Sequence, residues 1–181
     1  MEHYPRELMT SAFTASQRDA LALRQFDQDC TAEAIDQLNR ALLAPSCGRD
    51  AVWRRNVADA LEALDQAVTT ESRSCAEADS LLSDIARTQP RLRNRVRGLR
   101  HHYGRLSDQI KHALRMLARG DDVGVAETRI HVGRLISALQ LTRGRESDLI
   151  YEAYFDAFHR DVEEELLCPA PQIHPQDAAA R

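Results

Sequence analysis

Residues 91–119, RLRNRVRGLRHHYGRLSDQIKHALRMLAR, decide the fold. Leu99, Tyr103, Leu106, Ile110, Ala113 and Leu117 recur at steps of four and three, the spacing of one face of an α-helix. Gly120 after the run suits a left-handed helix end. Pro90 before it stops any preceding helix, because the residue before a proline avoids helical geometry.

The same period extends outward in both directions. On the N-terminal side, Trp53, Val57, Leu61, Leu64 and Val68, then Leu81 and Ile85, form a second stripe. Leu23, Phe26, Cys30, Ala34, Leu38 and Leu42 form a third, with Asp27 at its edge. On the C-terminal side, Leu135, Leu139, Leu149 and Ala153 form a fourth. Breaks fall at Pro45–Gly48, Thr88–Pro90 and Gly120–Gly124. The spacing therefore predicts four helices, over about 16–43, 50–88, 91–119 and 125–166. Ser16 and Asp50 stand where N-caps are expected. Four such helices with short links make an antiparallel up-down-up-down four-helix bundle, so the fold class is all-α. The second and fourth helices are long enough, roughly 60 Å at 1.5 Å per residue, to kink or overhang. Residues 1–15 are read as a loose N-terminal arm, 16–167 as the bundle, and 168–181, Pro- and Ala-rich, as a disordered tail.

Composition agrees. Of 181 residues, 43% are hydrophobic and 29% charged, with only seven Gly, six Pro, four Phe, four Tyr and one Trp. Turn residues and aromatics are too few for a many-stranded sheet, and no apolar run approaches the roughly 20 residues that cross a bilayer. The net charge of −4 does not favour a polyanion. Cys30, Cys47, Cys75 and Cys168 contain no CxxC pair, so neither a zinc ribbon nor a thioredoxin-like motif is present. Reduced thiols, no export signal and one lysine, Lys111, against many arginines point to a cytoplasmic, bacterial protein.

Polar residues interrupt the stripes. From Val68 the second stripe continues through Glu71 and Cys75. In the third helix His102, three after Leu99 and four before Leu106, is placed on the core face. In the fourth, Thr142 and Glu146 fill the positions between Leu139 and Leu149. Folding the chain at its breaks brings Glu71, Cys75, His102, Thr142 and Glu146 within one or two turns of a common level. A buried carboxylate needs a partner, a metal or a proton. Carboxylates and an imidazole inside a bundle are the donor set of a metal–carboxylate centre. A hydrogen-bonded network, with Glu71 paired to Arg73 or Arg105, uses the same residues without a metal.

Residues about 50–160 resemble the hemerythrin-like (HHE) cation-binding bundles. The stretches that carry the resemblance are PRLRNRVRGLRHHYGRL (90–106) and ISALQLTRGRESDLIYEAY (136–154). The resemblance implies a non-haem di-iron centre that binds or senses dioxygen, peroxide or nitric oxide. It assigns His102 and Glu146 as ligands, with Glu71 as the second-helix carboxylate and Cys75, Thr142 and Asp27 as further candidates. The family's fourth-helix histidine is Thr142 here, and the first two helices have no histidine. The expected cofactor is accordingly none, or non-haem iron or another divalent metal at low occupancy.

The expected function is a non-catalytic sensor or a regulatory or interaction module with an eroded metal site. Its company is a protein partner or a homodimer, with no nucleic acid and no membrane. The alternatives are a competent non-haem iron protein and a histidine phosphotransfer bundle acting through His112, which has Arg115 three residues later. Arg91, Arg93, Arg95, Arg97, Arg100 and Arg105 point around the helix in several directions, as on a solvated, ion-paired surface.

Overall fold

A computed structural model describes residues 13–119 and 124–167, the side chains of 119 and 155–167 excepted. The described residues form helices and no strand. These are α1 (Ala15–Leu43), α2 (Asp50–Ala76), α3 (Leu81–Thr88), a 3-10 turn (Pro90–Leu92), α4 (Arg93–Arg119) and α5 (Val125–Leu167). Four are long. α1 packs along α2, α2 along α4 and α4 along α5.

The expected 50–88 helix is two helices. α2 ends at Ala76, Glu77 leaves helical geometry, and Ser80 caps α3 by accepting from the Ser83 N–H. Serine hydroxyls compete with the helical ladder by bonding nearby backbone. Ser80 Oγ donates within this turn, lying 3.0 Å from the Cys75 carbonyl and 2.8 Å from that of Glu77. Arg100 of α4 then donates to the Cys75 carbonyl at 2.9 Å and to Ser83 Oγ at 2.7 Å, holding the break in place. The break turns Leu81, Leu82 and Ile85 into the core.

α1 begins two residues earlier than Ser16 would start it. Thr14 forms a capping box with Gln17, its Oγ1 accepting from the Gln17 N–H and its own N–H donating to Gln17 Oε1. Phe13 is buried, its ring 5.3 Å from that of Tyr154. The end of the expected arm is thus part of the core, while residues 1–12 lie outside the described residues. So do the expected cap at Gly120 and the expected tail. α2 starts from Arg49, which makes no side-chain cap, rather than from Asp50, which lies in its first turn. Gly48 before it takes φ +68°, where only glycine is unstrained.

The first stripe also differs. Leu23 is 48% exposed, Phe26 is 64% exposed and Cys30 is exposed, while Arg24, Asp27, Thr31, Ala34, Ile35, Leu38 and Leu42 are buried. The N-terminal half of α1 therefore presents a polar face inward, one residue out of phase with the apolar reading. What that face meets explains the phase.

α5 departs from helical geometry at Tyr154 (φ −112°, ψ 17°). Gln89 Nε2 donates to the Ala153 carbonyl and occupies an acceptor of the helical ladder, which is a recognised cause of kinks. Tyr154 in turn donates to Asp84 Oδ2 at 2.8 Å.

Candidate functional site

Four helices each bring a polar side chain to one buried point. Arg24 comes from α1, Glu71 from α2, Tyr103 from α4 and Glu146 from α5. Tyr103, Glu71 and Glu146 have no exposed surface, and Arg24 has 7%. Arg24 Nε donates to Glu146 Oε1 at 2.6 Å, and Nη2 donates to Glu146 Oε2, which makes a two-pronged pair. The same Nη2 donates to Glu71 Oε1 at 2.6 Å. One guanidinium thus joins two carboxylates from different helices. Arginine is suited to this because its planar fork matches carboxylate geometry.

The remaining acceptor sites are served by neutral groups. Tyr103 Oη lies 2.9 Å from Glu71 Oε1 and 2.8 Å from Glu146 Oε2. Its single proton serves one carboxylate at a time, and its oxygen lies 2.9 Å from Arg24 Nη2, whose two protons are shared among Glu146, Glu71 and Tyr103. Thr31 Oγ1 donates to Glu71 Oε2 at 2.6 Å. Cys75 Sγ donates to Glu146 Oε1 at 3.5 Å. All four oxygens of the two buried carboxylates therefore have a donor.

The electrostatics follow from this packing. Burial opposes the Arg24 charge, but Glu146 above all, with Tyr103, Glu71 and Cys75, overrides it and holds the guanidinium pKa above its ordinary value. Burial first, and the two glutamates next, push the Tyr103 hydroxyl and the Cys75 thiol up, against the opposing effect of Arg24. The thiol is therefore held as a poor nucleophile. A cavity of about 320 Å³ opens beside the cluster, lined by Arg24, Cys75, Glu146, Leu23, Leu81 and Leu82 among others.

The sequence-derived site residues fare differently. Glu71, Cys75 and Glu146 meet, as the height comparison expects. His102 does not join them. It is half-buried, and its neighbour Tyr103 points to the centre instead. Thr142 is buried, but its Oγ1 donates to the Ala138 carbonyl at 2.9 Å, within its own helix. Asp27 is buried on the cluster's side of α1, with Oδ2 unbonded. Among the described residues no three His, Cys, Asp or Glu side chains are grouped to hold a metal ion. Where a metal was expected between Glu71 and Glu146, the Arg24 guanidinium lies. The partner expected for Glu71, Arg73 or Arg105, is exposed in both cases. A different arginine does that work because α1 turns Arg24 inward.

Arg24, Thr31 and Tyr103 are the functional-site residues that sequence reasoning misses. A signal for two of them exists. Arg24, Asp27, Thr31, Ala34 and Leu38 follow steps of three and four, as regular as the apolar series beside it. Tyr103 was visible as a core residue, and its hydroxyl had no visible role. The arginine-rich start of α4 behaves as an ion-paired surface. Arg91 and Arg95 both bond Glu152, and Arg93 donates to the Ala86 carbonyl. His112 is exposed on α4.

Comparison with protein-family models, with curated proteins and with solved structures finds no match. No helix among the described residues is long and apolar enough to cross a membrane.

Proposed function

We propose that this chain is a non-catalytic regulatory or interaction module, an up-down-up-down bundle of the hemerythrin-like kind. In it an arginine stands where such a bundle would hold metal. The observation that supports this most directly is Arg24, bonded at once to Glu146 and to Glu71. A guanidinium is a permanent cation that neither exchanges ligands nor carries electrons, so it can balance two carboxylates without supplying reactivity. The raised Cys75 thiol and Tyr103 hydroxyl add no nucleophile or base at neutral pH. A cytoplasmic setting belongs to the same reading. So does regulation through a protein partner or a second copy of the chain, with the cavity beside Arg24 as the place where occupancy would reach the cluster.

Metal content tests the reading. The full chain is expressed in iron-rich medium and analysed for metal, then melted with and without excess chelator. Far less than one iron per chain, and no change in the melting curve that follows iron content, are expected. Stoichiometric iron with the ultraviolet absorption of an oxo-bridged pair would overturn it in favour of a non-haem iron protein.

A further inference from the structure

A second constellation lies apart from the buried cluster. His112 on α4 and His131 on α5 face each other across the two helices, with ring centroids 6.3 Å apart and ring planes inclined by 59°. Both are exposed, so their side chains are free to adjust. A zinc ion binds an imidazole nitrogen at about 2.0–2.1 Å, which puts two rings on one ion about 5–6 Å apart between centroids. The observed separation needs a closure of about 0.3–1.3 Å, within the reach of rotation about the side-chain bonds.

We infer that His112 and His131 form a surface site for a divalent transition metal that clamps α4 to α5. Imidazole is a ligand of choice for zinc, copper and nickel. No third His, Cys, Asp or Glu among the described residues is grouped with the pair, so water completes the coordination. Glu127, four residues before His131 on the same face, lines the groove beside it together with Arg134. Arg54 lines the same groove, so Glu127 is the one carboxylate beside two guanidinium groups there and the imidazoles carry the binding. The two ligands come from different helices, so a bound ion stabilises the α4–α5 packing by mass action.

The test uses the full chain and Zn²⁺ alone, followed by calorimetric titration and thermal melting. The expected results are one tightest site per chain and a rise in melting temperature with zinc. His112→Ala and His131→Ala should each weaken that site at least about tenfold and abolish the rise, since both positions are exposed and their loss leaves the fold intact. His102→Ala, also on α4, should bind as the parent does. No zinc binding, binding unchanged in both variants, or loss in His102→Ala would overturn the assignment. The site is independent of the buried cluster, and metal found in the parent but absent from His131→Ala belongs to the surface pair.

Discussion

Arg24 and Glu146 lie 122 residues apart in the chain and are joined in the interior by two parallel hydrogen bonds, with the Arg24 Nε–Glu146 Oε1 contact at 2.6 Å. This pair links α1 to α5. Two further arginines do the same at other levels. Arg143 donates to the Gln28 carbonyl at 2.7 Å, and Arg129 donates to the Leu42 carbonyl at 2.7 Å. The α1–α5 seam is thus bridged by guanidinium groups reaching from one helix to the other, and its strength depends on them.

Arg24→Met leaves two buried carboxylates without their cation. Removing one partner of a buried pair costs about 3–5 kcal/mol, because the remaining charge is uncompensated. Urea unfolding should show a loss of that size. Combining Arg24→Met with Glu71→Gln and Glu146→Gln should recover most of it. A single variant as stable as the parent would refute the buried cluster.

The register of α1 is checked by a pair of variants. Phe26→Ser, on an exposed position, should change stability by no more than about 0.5 kcal/mol. Thr31→Val removes the hydroxyl that donates to Glu71 and should cost about 1–3 kcal/mol, the penalty of a charged acceptor left short of a donor. If the two effects were reversed in denaturant titrations, the apolar face of α1 would be the inner one.

Acid should loosen the kink in α5. Burial works against the Asp84 carboxylate, but donation from Gln17 and Tyr154 and the charge of Arg87 override it and hold its pKa below the ordinary 3.8. A depressed carboxylate pKa contributes stability that is complete above the unfolded value and is lost as pH falls through the folded one. Unfolding measured from pH 6 downward should therefore show stability declining below about pH 4. In Asp84→Asn the decline should be shallower.

Trp53 is the single tryptophan and reports on the other end of α5. Arg129 lies 5.5 Å from its ring centroid and also donates to the Leu42 and Ala44 carbonyls at the end of α1. Arg129→Ala should alter the tryptophan emission of the folded protein and cost about 1–3 kcal/mol, from the lost charge-assisted bonds and cation–π contact. An unchanged spectrum would contradict that contact.

Thiol labelling separates the cysteines. Cys30 and Cys47 are exposed, and Cys75 is buried with its thiol pushed up by burial and by Glu146. At neutral pH a disulfide-exchange reagent should modify Cys30 and Cys47 rapidly in the native protein, and Cys75 only after denaturant is added. Mass spectrometry of the labelled peptides gives the order directly.

Helix period, breakers and core were legible because they are local properties. The run Leu99–Ala113 and the stripe Trp53–Val68 are each buried as their spacing requires, with Leu117 half-buried at the end of the run. The break at Glu77–Ser80 was hidden. It depends on Arg100, 25 residues past Cys75, bonding the carbonyl that α2 leaves open. In the site, Glu71, Cys75 and Glu146 could be brought to one level by counting residues from the breaks. Which neighbour of a pair faces inward could not be counted. The stripe puts both His102 and Tyr103, one position and about 100° apart around the helix, near the core face, and packing against α2 and α5 buries Tyr103 fully while leaving His102 half-buried.

By itself the sequence determined that the described chain is helical, where three of its four long helices run to within a few residues and where the fourth, α2, begins, and that two carboxylates would meet in the interior. Hydrophobic period and breaker chemistry act over a few residues and need no knowledge of neighbours. The tertiary structure alone decided the phase of α1, and with it that Arg24 rather than a histidine answers those carboxylates. That choice rests on the cost of an uncompensated buried charge, which outweighs burying Leu23 and Phe26 and takes effect only once the helices are assembled.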